Sequence, residues 1–416
     1  MNKKILVAAI AVASAAVSTS VFAATNLGSA TQKGSLLIFP RVEALESTWN
    51  RHGATSDTLI QITNDSSTPV NLKCYWGTTE GNPYNYNGGN AAPNLYAAKA
   101  RTAIRNNHYM DFGFTLTKNQ PVSFWAGSLG NTGFFNFLTT NVSAPQFNFF
   151  QDGTSSNAGE LKCWAVNSKS NAEVHHNHLI GKATIVSFAN NENAARGQAH
   201  EYNASAFQAH FYEKAQRWDS NSINYTGRPL PTPFKLDLDG KEYDQCASAL
   251  VGQFIPTYHP VAGALAGINR TQISVANCHE DLRQDADSHI TKLTYKVWNA
   301  NEVSYTGAHE CMGAWYESDL GSAFPHFQYK TLKTDTAYFR ATPTASRLCN
   351  QGSQKAAMEG DIGVDSVVGV QVNDVGGAYQ SSSNLVNLGS GTTYTTEPVG
   401  KGQILWDDSG ADYGKK

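Results

Sequence analysis

Charged residues are scarce in this sequence, and neither sign dominates. Only 16% of the 416 residues are Asp, Glu, Lys or Arg, and the formal net charge is −3. Proteins that bind nucleic acid or anionic membranes through electrostatics usually carry a clustered basic excess. The composition therefore predicts no nucleic-acid partner and no electrostatic attachment to a membrane.

Long apolar runs are also missing once the N-terminus is set aside. Residues 1–23 begin with Lys3 and Lys4, continue as an apolar run and end at Ala23. This pattern is typical of a secretory signal peptide that is cut after Ala23. No later run approaches the roughly 20 apolar residues of a membrane-spanning helix. We therefore expect a secreted protein, in the periplasm, on the outer surface or extracellular, without a transmembrane helix.

The motifs of common catalytic and cofactor sites are absent. The chain contains no GxSxG nucleophile elbow, no HExxH zinc motif, and neither of the Gly-rich phosphate motifs GxxxxGK[ST] and GxGxxG. We therefore predict no cofactor and expect no catalysis. An exported hydrolase acting on polysaccharide stays open as an alternative, because the two carboxylates of a glycosidase can be distant in sequence.

A weak internal repeat begins with residues 58–76, TLIQITNDSSTPVNLKCYW. Alternating residues on both sides of a polar stretch predict two antiparallel strands joined by a turn. Residues 292–315 have a similar pattern, and three further matches follow in the same order: 114–127 with 329–341, Cys163 with Cys349, and 178–188 with 367–372. This order predicts two related domains in tandem, although alternating runs and polar turns occur in all β proteins.

The cysteines predict disulfides rather than a metal site. The six are Cys74, Cys163, Cys246, Cys278, Cys311 and Cys349. No pair has the short spacing of two to four residues that zinc sites usually show. An even number in an exported chain indicates disulfides, and six cysteines allow fifteen pairings. The repeat selects Cys74–Cys163 and Cys311–Cys349 as equivalent bridges, which leaves Cys246–Cys278 to close the connecting segment.

The predicted fold is mainly β: two tandem immunoglobulin-like β-sandwich domains with long loop insertions and little helix. After the signal peptide 1–23, the first domain occupies residues 24–225 and carries long insertions rich in aromatic residues and Asn. Residues 226–275 form a Pro-rich connecting segment with a β-hairpin, and residues 276–416 form the second domain. The best helix candidate is 201–218, where apolar residues recur at helical spacing.

The second long insertion, residues 128–158, contains a cluster of phenylalanines. They are Phe134, Phe135, Phe137, Phe147, Phe149 and Phe150. Such a cluster predicts either a minor core beneath a long loop or an exposed aromatic surface for a sugar or a protein partner. Both interpretations remain open from the sequence.

A histidine cluster is the best metal-site candidate in the chain. His175, His176 and His178 offer imidazole ligands suited to zinc or copper. If a strand begins at Val174, His176 and His178 share one face. No carboxylate motif completes a site, and a surface turn before the strand 178–188 is the alternative.

Several strings resemble one group of proteins. They are KGSLLIFPRVE (33–43), DTLIQITNDSSTPVNLKCYW (57–76), FTLTKNQPVSFWA (114–126), GELKCWAV (159–166), EYNASAF (201–207), CHEDLRQD (278–285) and VWNANEVSYTG (297–307). Together they resemble large exported proteins of metal-respiring Gram-negative bacteria whose function is unassigned. The resemblance spans most of the mature chain and implies export, but it carries no catalytic residues. HHNHLIG departs from the Trp-Asn-His-Leu string expected there, which puts a family-wide metal role for His175 and His176 in doubt.

The sequence thus predicts an exported structural or interaction protein of the cell envelope or extracellular matrix. Its partner would be an envelope or matrix protein or a polysaccharide. A polysaccharide hydrolase and a metal-binding protein that uses the histidine cluster are the alternatives. The sequence does not indicate an oligomeric state.

Overall fold

The computed structural model describes residues 27–45, 54–79, 107–126, 157–168, 173–191, 194–210, 238, 243–259, 269–278, 291–312, 315–345, 366–375 and 379–390. Several predictions fall outside these ranges. They concern the signal peptide, the six phenylalanines of 128–158, the β-hairpin of the connecting segment, whose turn the sequence places at Asp239-Gly240, and Cys349.

The described chain is mainly β, which confirms the predicted fold class, and it forms two curled antiparallel sheets. The first sheet contains β1 (Leu36–Leu45), β2 (Ala54–Asn64), β3 (Val70–Thr79), β4 (Asn107–Leu116), β5 (Pro121–Trp125), β6 (Asn157–Val166), β7 (Leu179–Asn191), β8 (Ala194–Asn203) and β9 (Ser205–Phe207). The second contains β10 (Ala247–Phe254), β11 (Arg270–Asn277), β12 (Thr291–Asn299), β13 (Ser304–Met312), β14 (Trp315–Asp319), β15 (Ala337–Ala345), β16 (Val367–Val375), β17 (Tyr379–Asn384) and β18 (Val386–Ser390). Between β14 and β15 lie α1 (Leu320–Ala323), a 3₁₀ turn (Pro325–Phe327) and α2 (Tyr329–Leu332).

Each sheet folds back on itself into two layers. In the first domain one layer has the order β4-β3-β6-β1, with β9 on the start of β1, and the other has β5-β2-β7-β8. The layers join where the end of β1 pairs with β2, at Ala44 and Asp57. Alternate residues of each strand point inward, and they include Phe39, Ile60 and Trp76 in a continuous buried core. This is a sandwich-like packing, but the pairing alone does not establish an immunoglobulin-like topology.

The second sheet repeats the pairing of the first. Among the described strands, seven of the eight pairings recur when each strand is matched with the strand nine places later. The exception is the junction between layers, which is β1 with β2 in the first domain and β10 with β16 in the second. The two domains therefore share one architecture.

Most of the segments that the sequence matched between the two domains do not lie at equivalent places in the two sheets. The residues around Asn64 join β2 to β3, whereas those around Asn299 join β12 to β13, which are the equivalents of β3 and β4. Both Asn side chains make the same local turn: each Oδ1 accepts a backbone N–H two residues ahead, at 3.0 Å. The sequence similarity therefore came from a shared turn chemistry. The match of 178–188 with 367–372 does relate equivalent strands, β7 and β16.

Two further predictions differ from the structure. The second sheet begins at Ala247, because β10 lies within the segment 226–275 that was expected to connect the domains, and β11 begins in it. The helix predicted over 201–218 is wrong in its first third, where β8 ends at Asn203 and β9 spans Ser205–Phe207. Pairing with β7 and β1 satisfies the backbone there, so the tertiary context overrides the helical spacing.

Two of the three predicted disulfides are present. Cys74 and Cys163 lie directly opposite each other on β3 and β6, with Cα atoms 4.1 Å apart. Cys246 and Cys278 are bonded across the second domain, from just before β10 to just after β11, so this bridge does not close a linker. Cys311 is also disulfide-bonded, and its predicted pairing with Cys349 stays a prediction because Cys349 lies outside the described residues.

The outward face of the layer β9-β1-β6-β3 packs against the β11–β16 face of the second domain. Leu36, Ile38 and Trp164 of the first domain share one buried cluster with Ala276 and Val368 of the second. The Cys246–Cys278 bridge lies in the same cluster. The two domains are therefore joined by an apolar sheet-on-sheet contact.

Candidate functional site

The three histidines predicted as metal ligands lie in a turn before β7, not in a strand. The Nε2 atom of His176 lies 2.9 Å from Oδ1 of Asn64 and must donate its proton, because an amide oxygen only accepts. Nδ1 of His178 pairs with Asp65, and Nε2 of His175 lies 3.3 Å from Nδ2 of Asn177. In the described part of the chain, no group of three or more His, Cys, Asp or Glu side chains is placed to hold a metal ion. The structure places the three histidines in the turn, and a metal role for them stays a prediction.

His176 fixes the hairpin between β2 and β3 to the start of β7. Its backbone N–H donates to Oγ of Ser35 at 2.7 Å, and its ring reaches Asn64, which caps the turn. Burial, together with the neighbouring His178 and His175, lowers the pKa of His176 from 6.5 to about 4. The neutral imidazole is therefore the form that the folded protein holds.

A pH-dependent stability follows from His176. Because its pKa is lower when folded than when unfolded, the unfolded chain binds more protons between about pH 4 and 6.5, and the stabilisation is lost as pH falls through this window. We expect His176→Gln to flatten the slope of unfolding free energy against pH there, as measured by urea unfolding. The wild type supplies the reference profile, because removing His178 would itself change the pKa of His176. An unchanged slope in His176→Gln would contradict the assignment.

A second polar cluster is built around Asp244, which is fully buried. Its carboxylate accepts hydrogen bonds from Nε2 of Gln32 (2.6 Å), the backbone N–H of Gln208 (2.9 Å) and Nε2 of His210 (2.7 Å). These donors come from the N-terminal segment and from the chain after β9. Asp244 therefore ties three distant segments together immediately before β10.

The most extensive network lies between the domains and is centred on Arg41 of β1, which is 4% exposed. Its guanidinium donates to Oγ of Ser274 (3.1 Å) and Oε1 of Gln272 (2.9 Å), both on β11. It also pairs with Glu43 of the first domain and, at 3.5 Å, with Glu317 of the second. One buried cation thus holds carboxylates from both domains.

Glu43 is held ionised in this network. Burial alone would raise its pKa, but Arg41 and, to a smaller degree, His200 and Ser56 outweigh burial, so the pKa is lowered. Burial lowers the pKa of neighbouring His200 to about 4; Glu43 opposes this shift, and Arg41 adds to it. His200 is therefore neutral beside the ion pair.

A second buried ion pair flanks the apolar contact. Nζ of Lys162 lies 2.9 Å from Oε1 of Glu160 and 3.4 Å from the carbonyl oxygen of Asn277 in the second domain. Burial raises the pKa of Glu160, and Lys162 opposes this shift. Nearby, Nε1 of Trp315 donates to the carbonyl oxygen of Pro40 at 2.7 Å, which adds a direct bond between the domains.

These buried charges lie at the contact between the two domains. Arg41, Glu43, Glu160 and Lys162 are each at most 6% exposed, and their partners are protein groups. The sequence predicted none of them, because single charged residues within strands resemble solvent-facing positions. The one sequence signal for a buried charge was a charged residue between apolar residues of a strand, as in LLIFPRVEAL and GELKCWAV.

No protein-family model matches this chain, and no curated protein is significantly similar to it. No helix in the described ranges is long and apolar enough to cross a membrane.

Proposed function

We propose that the protein is an exported structural or interaction protein of the cell envelope or extracellular matrix, which binds a protein or polysaccharide partner without catalysis. The observation that carries this proposal is the buried network of Arg41. It bonds β1 to β11 and β14 within an apolar contact, so its polar groups connect domains instead of facing a cleft. A two-domain body held in this way suits a scaffold that presents surfaces.

The strand ends of the first domain support the same proposal. Thr79 is paired with Asn107, and Ala44 is paired with both Asp57 and Asn157. The segments 46–53, 80–106 and 127–156 are therefore all attached at one end of the domain. We propose that the Phe-rich stretch, with Phe134, Phe135, Phe137, Phe147, Phe149 and Phe150, contributes to partner binding there.

The buried carboxylates do not favour the hydrolase alternative. A glycosidase needs two carboxyl groups that face one cleft across the scissile bond. Glu43 and Asp244 are instead hydrogen-bonded to protein groups in the interior, and Glu160 is ion-paired with Lys162 there.

Cross-linking mass spectrometry on intact cells that produce the native protein tests the proposed function. We expect inter-protein cross-links that concentrate on one surface assembly, with few in the cell-free medium. Cross-links from lysines of the segment 80–106 would indicate that the first domain contacts the partner, and cross-links from lysines of 291–299 would indicate that the second domain does. A freely released monomer without any cross-linked neighbour would contradict the proposal and turn attention to substrate screening.

A further inference from the structure

The outward face of the layer β10-β15-β12 in the second domain is the counterpart of the face that the first domain buries. In β12, Leu293, Tyr295 and Val297 point into the core, so the alternate residues point outward. The same holds for β15, where Phe339 and Ala341 are buried while Tyr338 and Arg340 are exposed. Within the described residues, no second sheet covers this face.

Two aromatic residues stand side by side on this face. Trp298 and Tyr338 are directly paired across β12 and β15, and Gln253 of β10 is paired with Tyr338. Directly paired side chains lie on the same side of a sheet, about 4.5–5.5 Å apart at Cβ. Tyr338 is 43% exposed. The three side chains form a row that crosses the strands, which we call the aromatic row.

The neighbouring row is cationic. Lys296 is paired with Arg340, which is paired with Val251, and both charged side chains are exposed. Nζ of Lys296 lies 5.0 Å from the ring centre of Trp298, so the two rows touch. Lys292 adds a third cation on β12, and Thr294 is paired with Thr342 between them. The outward positions of the described strands β10, β12, β13, β15 and β18 carry no Asp or Glu.

We propose that this face binds a carboxylated polysaccharide of the uronic-acid type. Sugar rings would lie with their apolar sides on Trp298 and Tyr338, which combine an apolar ring with a polar edge. The carboxylates would reach Lys296 and Arg340, and Gln253 would bond ring hydroxyls. Adjacent strands are about 4.8 Å apart, close to the length of one sugar unit, so a chain along the aromatic row meets one strand per sugar.

A second copy of the chain fits this face less well. The first domain docks its equivalent face with Leu36, Ile38 and Trp164, which are completely or almost completely buried. The corresponding strands of the second domain present adjacent cations, and burying them requires acidic partners. The outward face of β2 and β7 in the first domain offers Gln61 and Thr63 instead, and the exposed acid next to it, Glu201 of β8, is already paired with Lys182. Charge therefore favours an anionic ligand over self-association.

The chemistry also distinguishes this ligand from nucleic acid. Flat aromatic residues beside cations can stack bases as well as sugars. The chain, however, is predicted to be exported and has a net charge of −3. The three cations on this face therefore attract an anionic ligand only nearby, whereas the protein as a whole does not attract the polyanionic backbone of a nucleic acid.

Titration calorimetry of the intact protein with oligogalacturonate tests this proposal. We expect binding that weakens with added NaCl, because the contacts to carboxylates are exposed, and weaker binding of a neutral oligosaccharide of the same length. Trp298→Ala and Lys296→Gln should each weaken binding about tenfold, the loss expected when a stacking ring or a charge contact is removed. Lys182→Gln, on the opposite outer face, is the matched control and should bind as the wild type does.

Thermal melting separates a binding defect from misfolding, since both substituted side chains face outward. Absence of oligogalacturonate binding to the wild type would overturn the proposal, as would equal losses in Lys296→Gln and Lys182→Gln. So would a preference for single-stranded DNA or for a second copy, the latter seen as a concentration-dependent mass that Trp298→Ala abolishes. The inference rests on the proposed function, but failure here with positive cross-linking to an envelope partner would leave that function standing.

Discussion

Arg41→Met should lower the free energy of unfolding by about 3–5 kcal/mol, the range found when one member of a buried ion pair is removed. The side chain is 4% exposed and contacts Glu43 and Glu317 in addition to Gln272 and Ser274. Removing the cation leaves two carboxylates buried without their counter-ion, a state whose desolvation is not repaid. Urea unfolding followed by tryptophan fluorescence measures the change.

An exposed arginine of the second domain supplies the control for this variant. Arg340 lies on the exposed face of β15, so Arg340→Met should change stability by less than about 0.5 kcal/mol. Neutralising the carboxylates together, in Arg41→Met/Glu43→Gln/Glu317→Gln, should recover part of the loss, because no unpaired charge then remains buried. If Arg41→Met proved as mild as Arg340→Met, the network would not hold the domains together.

The β class was predictable because alternation is a local signal. In β12 the residues from Thr291 to Asn299 alternate between buried and partly exposed positions throughout, as expected for a strand with one buried face. The turn at 64–69 was predictable for the same reason, since Asn64 bonds its own neighbours. Local chemistry that repeats within ten residues is visible without a structure.

Strand partners were not predictable, because pairing is set by contacts distant in sequence. Asn64 and Asn299 looked equivalent, yet their strands occupy different places in the two sheets. The first third of the helix predicted at 201–218 failed similarly: the spacing of Ala204 and Phe207 fits a helix, but Phe207 pairs with Leu36 far earlier in the chain. The predicted tandem of two related domains agrees with the strand pairing, whereas most of the residue matches behind it do not.

The candidate sites likewise divide into residues that are close in sequence and residues that only the fold brings together. The histidines were conspicuous because they are adjacent in sequence, but their rings bond to Asn64 and Asp65 rather than to a common centre. Trp298 and Tyr338 are forty residues apart in sequence, and only the register of β12 with β15 brings them together. Arg41 and Glu317 likewise meet only through domain packing.

The disulfide Cys74–Cys163 provides the other large expected effect. It closes a loop with a sequence separation of 89, and both cysteines are completely buried between β3 and β6. Cys74→Ala/Cys163→Ala should lose about 2–5 kcal/mol of unfolding free energy, largely because the unfolded chain gains freedom. Urea unfolding of the oxidised wild type and the double variant measures this difference.

The second domain indicates that the loss affects stability and not topology. There the equivalent strands β12 and β15 pair without a bridge, and Tyr295 opposite Ala341 fills the core. The double variant should therefore keep the far-ultraviolet circular dichroism of the wild type at low urea. The native Cys246–Cys278 disulfide closes a shorter loop, with a separation of 32. Cys246→Ala/Cys278→Ala should therefore lose less unfolding free energy than the variant at Cys74 and Cys163, by about 1 kcal/mol. A variant at Cys74 and Cys163 that loses its β signal without denaturant would instead make this bridge a requirement for pairing β3 with β6.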